Sequence, residues 1–382
     1  MSATKLVETV EGRTRLVVPE PSLGSPLPPR SPIFFNQAAS VNRDVSVAIA
    51  EAVGGATFCD SMAGAGARGL RVANEVRASK EVMLVDINNE SVDAARRSAS
   101  LNGVKSKCEF RVGDTSSVLA SRYGRDMKFE AVDLDPFGSP IRHLCAAVSA
   151  IKDGGVLSIT ATDTAVLCGV YPATARRRYG AVPMNNSFHH ETAIRILLNS
   201  VRKAAAPLDI GTSPVAAHAT RHYLRAYVRL EYGAARADSS LKREGYLVAC
   251  PQCGEVSASA SERSSCGSCG KRARFAGPLW LGPLSDSSTL RRSASVAEGR
   301  GFVEAARILS SLGGVDGFPP WSYNIEETCS RLGVASVSEG RVTALLSGSG
   351  YMTMRQPLET KGMKTTAPIR AIEDAVRSLS IT

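Results

Sequence analysis

The chain has 382 residues, room for two or three domains each with its own core. Hydrophobic residues make up 43% and charged residues 21%, no run approaches the roughly 18 apolar residues of a membrane span, and the N-terminus lacks an apolar signal core, which excludes a membrane protein and points to the cytoplasm. The 46 Lys and Arg against 36 Asp and Glu leave a net charge of +10 spread over both halves, a field suited to a large polyanion.

The first 32 residues, rich in Pro and Ser and ending in LPPRSP, read as an extended arm. Helical spacing over Arg43 to Val53 is followed by an alternation: strand Ala56 to Asp60, helix Ala67 to Arg77, strand Glu81 to Asp86, helix Ser91 to Leu101. Strands at Cys108 to Val112, Ala131 to Leu134 and Val156 to Ala161 continue it, with helices at Ser116 to Ser121 and Ile141 to Ile151 between them. Such alternation predicts an α/β fold with a parallel sheet covered on both faces. An amphipathic helix over Glu191 to Ala206 leads to two strands, Val215 to Thr220 and Tyr223 to Leu230, expected as an antiparallel edge pair. A Gly- and Ser-rich cysteine segment follows, and Pro278 to Thr382, with helices at Phe302 to Leu312 and Ile325 to Leu332, reads as a smaller α/β domain.

Two stretches carry chemistry. DSMAGAGARG runs from Asp60, which closes the first strand, and its Gly64 and Gly66 allow a ligand to approach the backbone at the edge where open α/β sheets bind cofactors. Asp86 closes the second strand, the place for an acid accepting two ribose hydroxyls, and Asp114 follows the third, where it can accept from an adenine amine. Gly64-Ala65-Gly66-Ala67-Arg68-Gly69 has the G-x-G-x-x-G spacing that a nicotinamide dinucleotide also uses, so it is the acid past the third strand, Asp114, that favours S-adenosylmethionine, which has no phosphate. The second stretch is DLDPFGSP, Asp133 to Pro140. Asp135, Pro136 and Phe137 put a carboxylate, a backbone carbonyl followed by no N–H and a ring face around one opening, which suits a planar base with an exocyclic amine.

With FFNQAASVNRD (Phe34 to Asp44), RRYGAVP (Arg177 to Pro183), HETAIRILL (His190 to Leu198), GPLWLGPL (Gly277 to Leu284) and GMKTTAP (Gly362 to Pro368), these motifs run almost end to end. The chain resembles the tRNA (guanine 26-N2)-dimethyltransferase family in its compact archaeal form. The resemblance implies a Rossmann-like methyltransferase domain, methyl transfer from S-adenosylmethionine to a guanine of tRNA, and a smaller C-terminal domain. By motif position it implies that Arg43, Arg68, Asp86, Asp114 and Thr115 hold S-adenosylmethionine, that Asp135 is the catalytic acid, and that Phe137 and Phe34 bracket the base. The family more often has Ser where Gly64 stands, and Arg355 to Leu358 depart from its pattern. The implied organisation is an arm over 1–40, the methyltransferase domain over 41–236, a zinc-binding segment over 237–277 and a tRNA-binding domain over 278–382.

The guanine amine is a poor nucleophile because its lone pair is delocalised, so Asp135 is expected to orient it and accept its proton. Asp133 reads as a structural acid at the strand end. Cys250-x2-Cys253-x12-Cys266-x2-Cys269, with Gly254 and Gly270 after the pairs, has the spacing of a four-thiolate structural zinc site. The other five cysteines read as buried thiols in a reducing compartment. His189 and His190 read as capping or surface residues, Trp280 as a packing residue, Arg176 to Arg178 as a solvated or RNA-facing run, and Lys361 and Lys364 as phosphate contacts. Two other readings compete. An adenine N6 methyltransferase would want a second Pro after Asp-Pro, and a non-catalytic zinc-ribbon RNA-binding protein would be expected to lack Asp86 or Asp135. Nothing in the sequence demands a protein partner or more than a monomer.

Overall fold

The computed structural model describes residues 5–24, 31–121, 127–220 and 222–381. The chain opens with an antiparallel hairpin, β1 (Leu6–Glu11) and β2 (Thr14–Pro19), then α1 (Ser40–Val53). β3 (Thr57–Asp60), α2 (Ala67–Glu75), β4 (Glu81–Asp86), α3 (Asn89–Leu101), β5 (Cys108–Val112), α4 (Thr115–Ala120), β6 (Phe129–Leu134), α5 (Leu144–Ser149) and β7 (Ile151–Ala161) then alternate. Three helices, α6 (Thr164–Leu167), α7 (Pro172–Tyr179) and α8 (His189–Ala205), precede the long strands β8 (Ile210–Ala219) and β9 (Leu224–Tyr232). The seven strands form one sheet in the order β5-β4-β3-β6-β7-β9-β8, parallel through β7 and antiparallel at β9 and β8. The expected edge pair is present, and β7 takes in Ile151, which helical spacing had assigned to the preceding helix.

Period-two alternation explains why both faces are covered. Phe58, Val82 and Leu84 face a cluster with Leu16, Val18 and Leu70; their neighbours Cys59, Met83 and Val85 face the opposite core with Ile194 and Leu197 of α8. The sheet reverses direction of growth between β3 and β6, so their carboxyl ends border the crevice in which doubly wound folds bind ligands. Asp60, Ser61 and Asp133 to Asp135 stand at that crevice.

The N-terminal segment corrects an expectation. Residues 6–19 are a hairpin packed on α2 and α3, and the LPPRSP end of the expected arm lies largely outside the described residues. The hairpin is anchored by polar ties: Val17 N donates to Ser98 Oγ at 2.8 Å, Arg15 N to Asn102 Oδ1 at 2.9 Å, and Glu11 pairs with Arg43 and Arg71. The alternation in LVETVE was its signal, obscured by the Pro-rich stretch that follows.

After α9 (Ala234–Leu241), strands β10 (Glu244–Ala249), β11 (Val256–Ser259) and β12 (Arg274–Trp280) form a small antiparallel sheet carrying the cysteines. The remainder is mostly helical: α10 (Ser287–Gly299), α11 (Val303–Ser311), α12 (Ile325–Leu332), α13 (Glu339–Gly348) and α14 (Ile369–Ser380), with a ribbon of β13 (Thr353–Arg355) and β14 (Met363–Thr365). α10 and α11 pack on α1, and one hydrophobic core continues from the sheet to α14. GPLWLGPL lies at this junction. Arg195 of α8 donates to the carbonyls of Trp280 and Gly282, both at 2.9 Å, and the buried Trp280 ring donates to Pro283 O, which makes it the packing residue expected.

Candidate active site

Asp135 follows β6, with its side chain 31% exposed, and Arg68 of α2 donates to its Oδ2 at 2.6 Å. Burial pushes its carboxyl up, but Arg68, Arg225 and a hydrogen bond from Thr160 outweigh that and hold it below its ordinary value. It is therefore an ionised acceptor at neutral pH. Arg68 also reaches Asp133 Oδ1 at 3.2 Å, Asn42 Oδ1 at 2.8 Å and Ser46 Oγ at 2.6 Å. Behind it Arg225 of β9, fully buried, pairs with Asp133 and donates to Thr160 Oγ1 at 2.5 Å, Tyr227 OH at 2.8 Å and Ser46 Oγ at 3.1 Å. Asp133 is the scaffold that the sequence suggested. Arg225, Thr160 and Tyr227 escaped the sequence reading, although an arginine inside the apolar run of β9 was the available signal.

The cluster holds three carboxylates, Asp60, Asp133 and Asp135, against two guanidiniums. Asp60, 2% exposed, accepts the Gly69 N–H at 2.8 Å, and burial together with the Asp133 charge pushes its carboxyl up to about 7. His218, buried between Tyr223 and Tyr227, has no hydrogen-bond partner on either ring nitrogen among the described residues. Burial and the nearby Arg225 and Arg68 push its imidazole down to about 3, so it stays neutral.

Phe137 is 79% exposed and Phe34 36%. Their rings meet edge to face, centroids 4.8 Å apart at 87°, so they share the mouth of the site without forming a parallel slot. Gly64 explains how Phe34 arrives there. At φ +54° with a Cβ position only 2.6 Å from Phe34 O, it admits the Phe34 backbone against the turn, and Ala65 N donates to that same carbonyl at 2.9 Å. Pro136, between Asp135 and Phe137, is buried.

The expected cofactor residues divide into two groups. Asp86 and Asp114 keep acceptor capacity at the sheet edge: Asp86 accepts one N–H on each oxygen, from Gly64 at 2.8 Å and Asn88 at 2.9 Å, and each oxygen retains a lone pair. Asp114 caps α4 through Oδ1, and the Ser117 N–H holds its carboxyl below the ordinary value. The others are spent on the protein itself. Arg43 grips Glu11 with two nitrogens and donates to Asn36 O, Arg68 serves Asp135, and Thr115 donates to Ser61 O at 2.5 Å. Gly66 is required by packing, since a Cβ there would lie 2.7 Å from that of Ala95. Arg43, Arg68, Asp60 and Thr115 thus hold the turn and the carboxylates in place.

Lys364 requires a plain correction. It is fully buried, donating to Glu191 Oε1 at 3.0 Å and to the carbonyls of Pro319 and Trp321, and cannot meet a phosphate. Lys361 is exposed and paired with Glu326. In α7, Arg176, Arg177 and Arg178 are exposed, Arg178 bonding Asp163 at 3.0 Å. The four knuckle cysteines lie with their sulfurs within 4.8 Å of one another, two pairs at 3.6 Å. Tetrahedral zinc with Zn–S of about 2.3 Å needs sulfurs about 3.8 Å apart, so the donor set fits. Gly254 and Gly270, at φ +72° and +70°, turn their N–H groups back to the carbonyls of Cys250 and Cys266.

A family model described as N2,N2-dimethylguanosine tRNA methyltransferase matches residues 12–377. The tRNA (guanine(26)-N(2))-dimethyltransferase of Methanopyrus kandleri is 38% identical over 88% of this chain and 87% of its own length. That of Methanothermobacter thermautotrophicus is 32% identical over 98% and 99%. Among solved structures, Trm1 from Pyrococcus horikoshii in complex with S-adenosyl-L-methionine superposes with a TM-score of 0.85 at 28% identity, covering 97% of this chain and 99% of that one. With the family model spanning nearly the whole chain and the doubly wound sheet and its crevice in place, this chain belongs to the N2,N2-dimethylguanosine tRNA methyltransferase family.

Proposed function

We propose that the chain methylates the exocyclic N2 amine of guanine 26 in tRNA, once or twice, from S-adenosylmethionine. The observation that carries this reading is Asp135: an ionised, partly exposed carboxylate at the end of β6, beside two aromatic rings, held from behind by Arg68. Bound S-adenosylmethionine supplies a methyl group on a positively charged sulfur. Asp86 and Asp114 would hold its ribose and adenine, and the Gly64 to Gly66 turn would line it. Asp135 accepts a hydrogen bond from the amine and so aims the nitrogen lone pair. A carboxyl held below its ordinary value is a weak base toward a neutral amine, but an amine that has gained a methyl becomes cationic and acidic, and Asp135 can take that proton. A second round needs only the one remaining amine hydrogen. Alignment, rather than base strength, is then the main contribution of the site. Phe34 and Phe137 would part from their edge-to-face contact to hold the base, which must first leave its stack in tRNA.

The exposed arginines of α7 and the overall charge of +10 support tRNA as the partner, with 278–382 as its further binding region. Zinc at the four cysteines would be structural, since four protein ligands leave no open position. We place the chain in the cytoplasm as a monomer; among the described residues no helix is long and apolar enough to cross a membrane. Incubation of unmodified tRNA with labelled S-adenosylmethionine and nucleoside mapping tests the reading. Mono- and dimethylguanosine at position 26 are expected, methyladenosine would replace guanine by adenine as the target, and no product on any tRNA would favour a binding protein.

A further inference from the structure

Away from Asp135, the start of α8 carries two adjacent histidines that methyl transfer does not use. We propose that Cys168, His189 and His190 form a second metal site, separate from the four cysteines, for a divalent transition ion of the zinc class.

One ring nitrogen of each histidine and Cys168 Sγ lie within 4.8 Å of one another. Both rings are fixed from behind. His189 Nδ1 lies 2.6 Å from the carbonyl of Asn186 and His190 Nδ1 lies 2.7 Å from Glu359 Oε2. A carbonyl or carboxylate can only accept, so Nδ1 carries the proton in each ring and the lone pair resides on Nε2, which has no protein hydrogen bond among the described residues. That is the outer-shell arrangement found around metal-binding histidines. Glu359 is itself fixed, accepting the backbone N–H of His190 at 2.7 Å and of Glu191 at 3.3 Å on its other oxygen.

The backbone brings the cysteine to the same place by independent means. Gly169 adopts φ +92°, and a Cβ there would lie 2.7 Å from Asn185 N, so the turn after α6 is pressed against the segment leading into His189. A tetrahedral set places such donors roughly 3.5 Å apart, inside the 4.8 Å that bounds their separations here. One thiolate and two imidazoles select zinc, cobalt or copper over magnesium or calcium. The ion would tie the α6 turn to the start of α8 and, through Glu359, to the C-terminal region.

The test counts zinc. Full-length, tag-free protein is equilibrated with excess Zn2+ under reducing conditions, desalted, and assayed for zinc per chain, alongside Cys168→Ser and His189→Gln variants whose far-ultraviolet circular dichroism matches the parent. Two zinc per chain in the parent and one in each folded variant are expected; should Cys168→Ser fail to fold, His189→Gln decides. One zinc in the parent, or retention of the second zinc by a folded variant, overturns the site.

Discussion

Two buried charge clusters, one around Glu191 of α8 and one around Asp133 of β6, differ in one respect. Around Glu191, every charge is closed off: Arg195 and Lys364 pair with it, Gln356 donates to it, and all four are buried. Around Asp133, the cluster is equally deep but ends in Asp135, whose carboxylate reaches the crevice with acceptor capacity to spare. A closed network spends its electrostatics on fixing the fold, whereas an open one spends it on presenting a group. The sharpest way to break this contrast is Asp135→Ala. Loss of methyl transfer by about 10²- to 10⁴-fold is expected, the range for a positioned proton acceptor, with S-adenosylmethionine binding kept. Single-turnover rates and equilibrium binding measure the two separately, and robust turnover by the variant would dissolve the distinction.

The closed cluster should respond in the opposite sense. Lys364→Met leaves Glu191 buried with Arg195 as its remaining cation, and a loss of about 3 kcal/mol in unfolding free energy is expected, with methylation per folded molecule little changed. Urea unfolding and rates measured well below the midpoint check both halves. A rate loss matching that of Asp135→Ala would mean that Lys364 serves the chemistry after all.

The two clusters were unequally legible. Asp135 announced itself because an Asp-Pro-aromatic sequence at a strand end restricts what the backbone can present, and the alternating sheet followed from periodicity alone. Glu191 and Lys364 lie 173 residues apart, and a lysine in GMKTTAP carries no mark of the partner that will bury it. For the same reason the pairing of Arg43 with Glu11, 32 residues earlier in a hairpin that the Pro-rich stretch concealed, could not be read from the sequence. Residue types revealed chemistry; which opposite charge each would meet was decided by tertiary packing.

Arg225 permits a finer test of how the open cluster holds Asp135 ionised. Its charge lowers the Asp135 carboxyl, so in the parent activity should be lost only as pH falls below the ordinary carboxylate range. Arg225→Met leaves Asp133 and Asp135 to share Arg68, raises Asp135, and should move the acid limb of the rate profile upward in pH. Profiles of kcat for folded enzyme check this, and an unmoved limb would assign the low value to Arg68 alone.

The smallest effect lies in Asp60, the third carboxylate facing two guanidiniums. Burial and the Asp133 charge raise it from 3.8 to about 7 in the native state. Between roughly pH 4 and 7 the native protein therefore keeps a proton that the unfolded chain has released, so this group makes stability fall as pH rises through that window. Asp135 does not share the trait, being held below its ordinary value by Arg68 and Arg225 against the push of burial. Asp60→Asn keeps an oxygen for the Gly69 N–H and removes the titration. Its urea midpoint relative to the parent should improve from pH 5 to pH 8. A constant difference would mean that Asp60 is ionised alongside Asp135 across the whole window, its burial offset by the arginines of the open cluster.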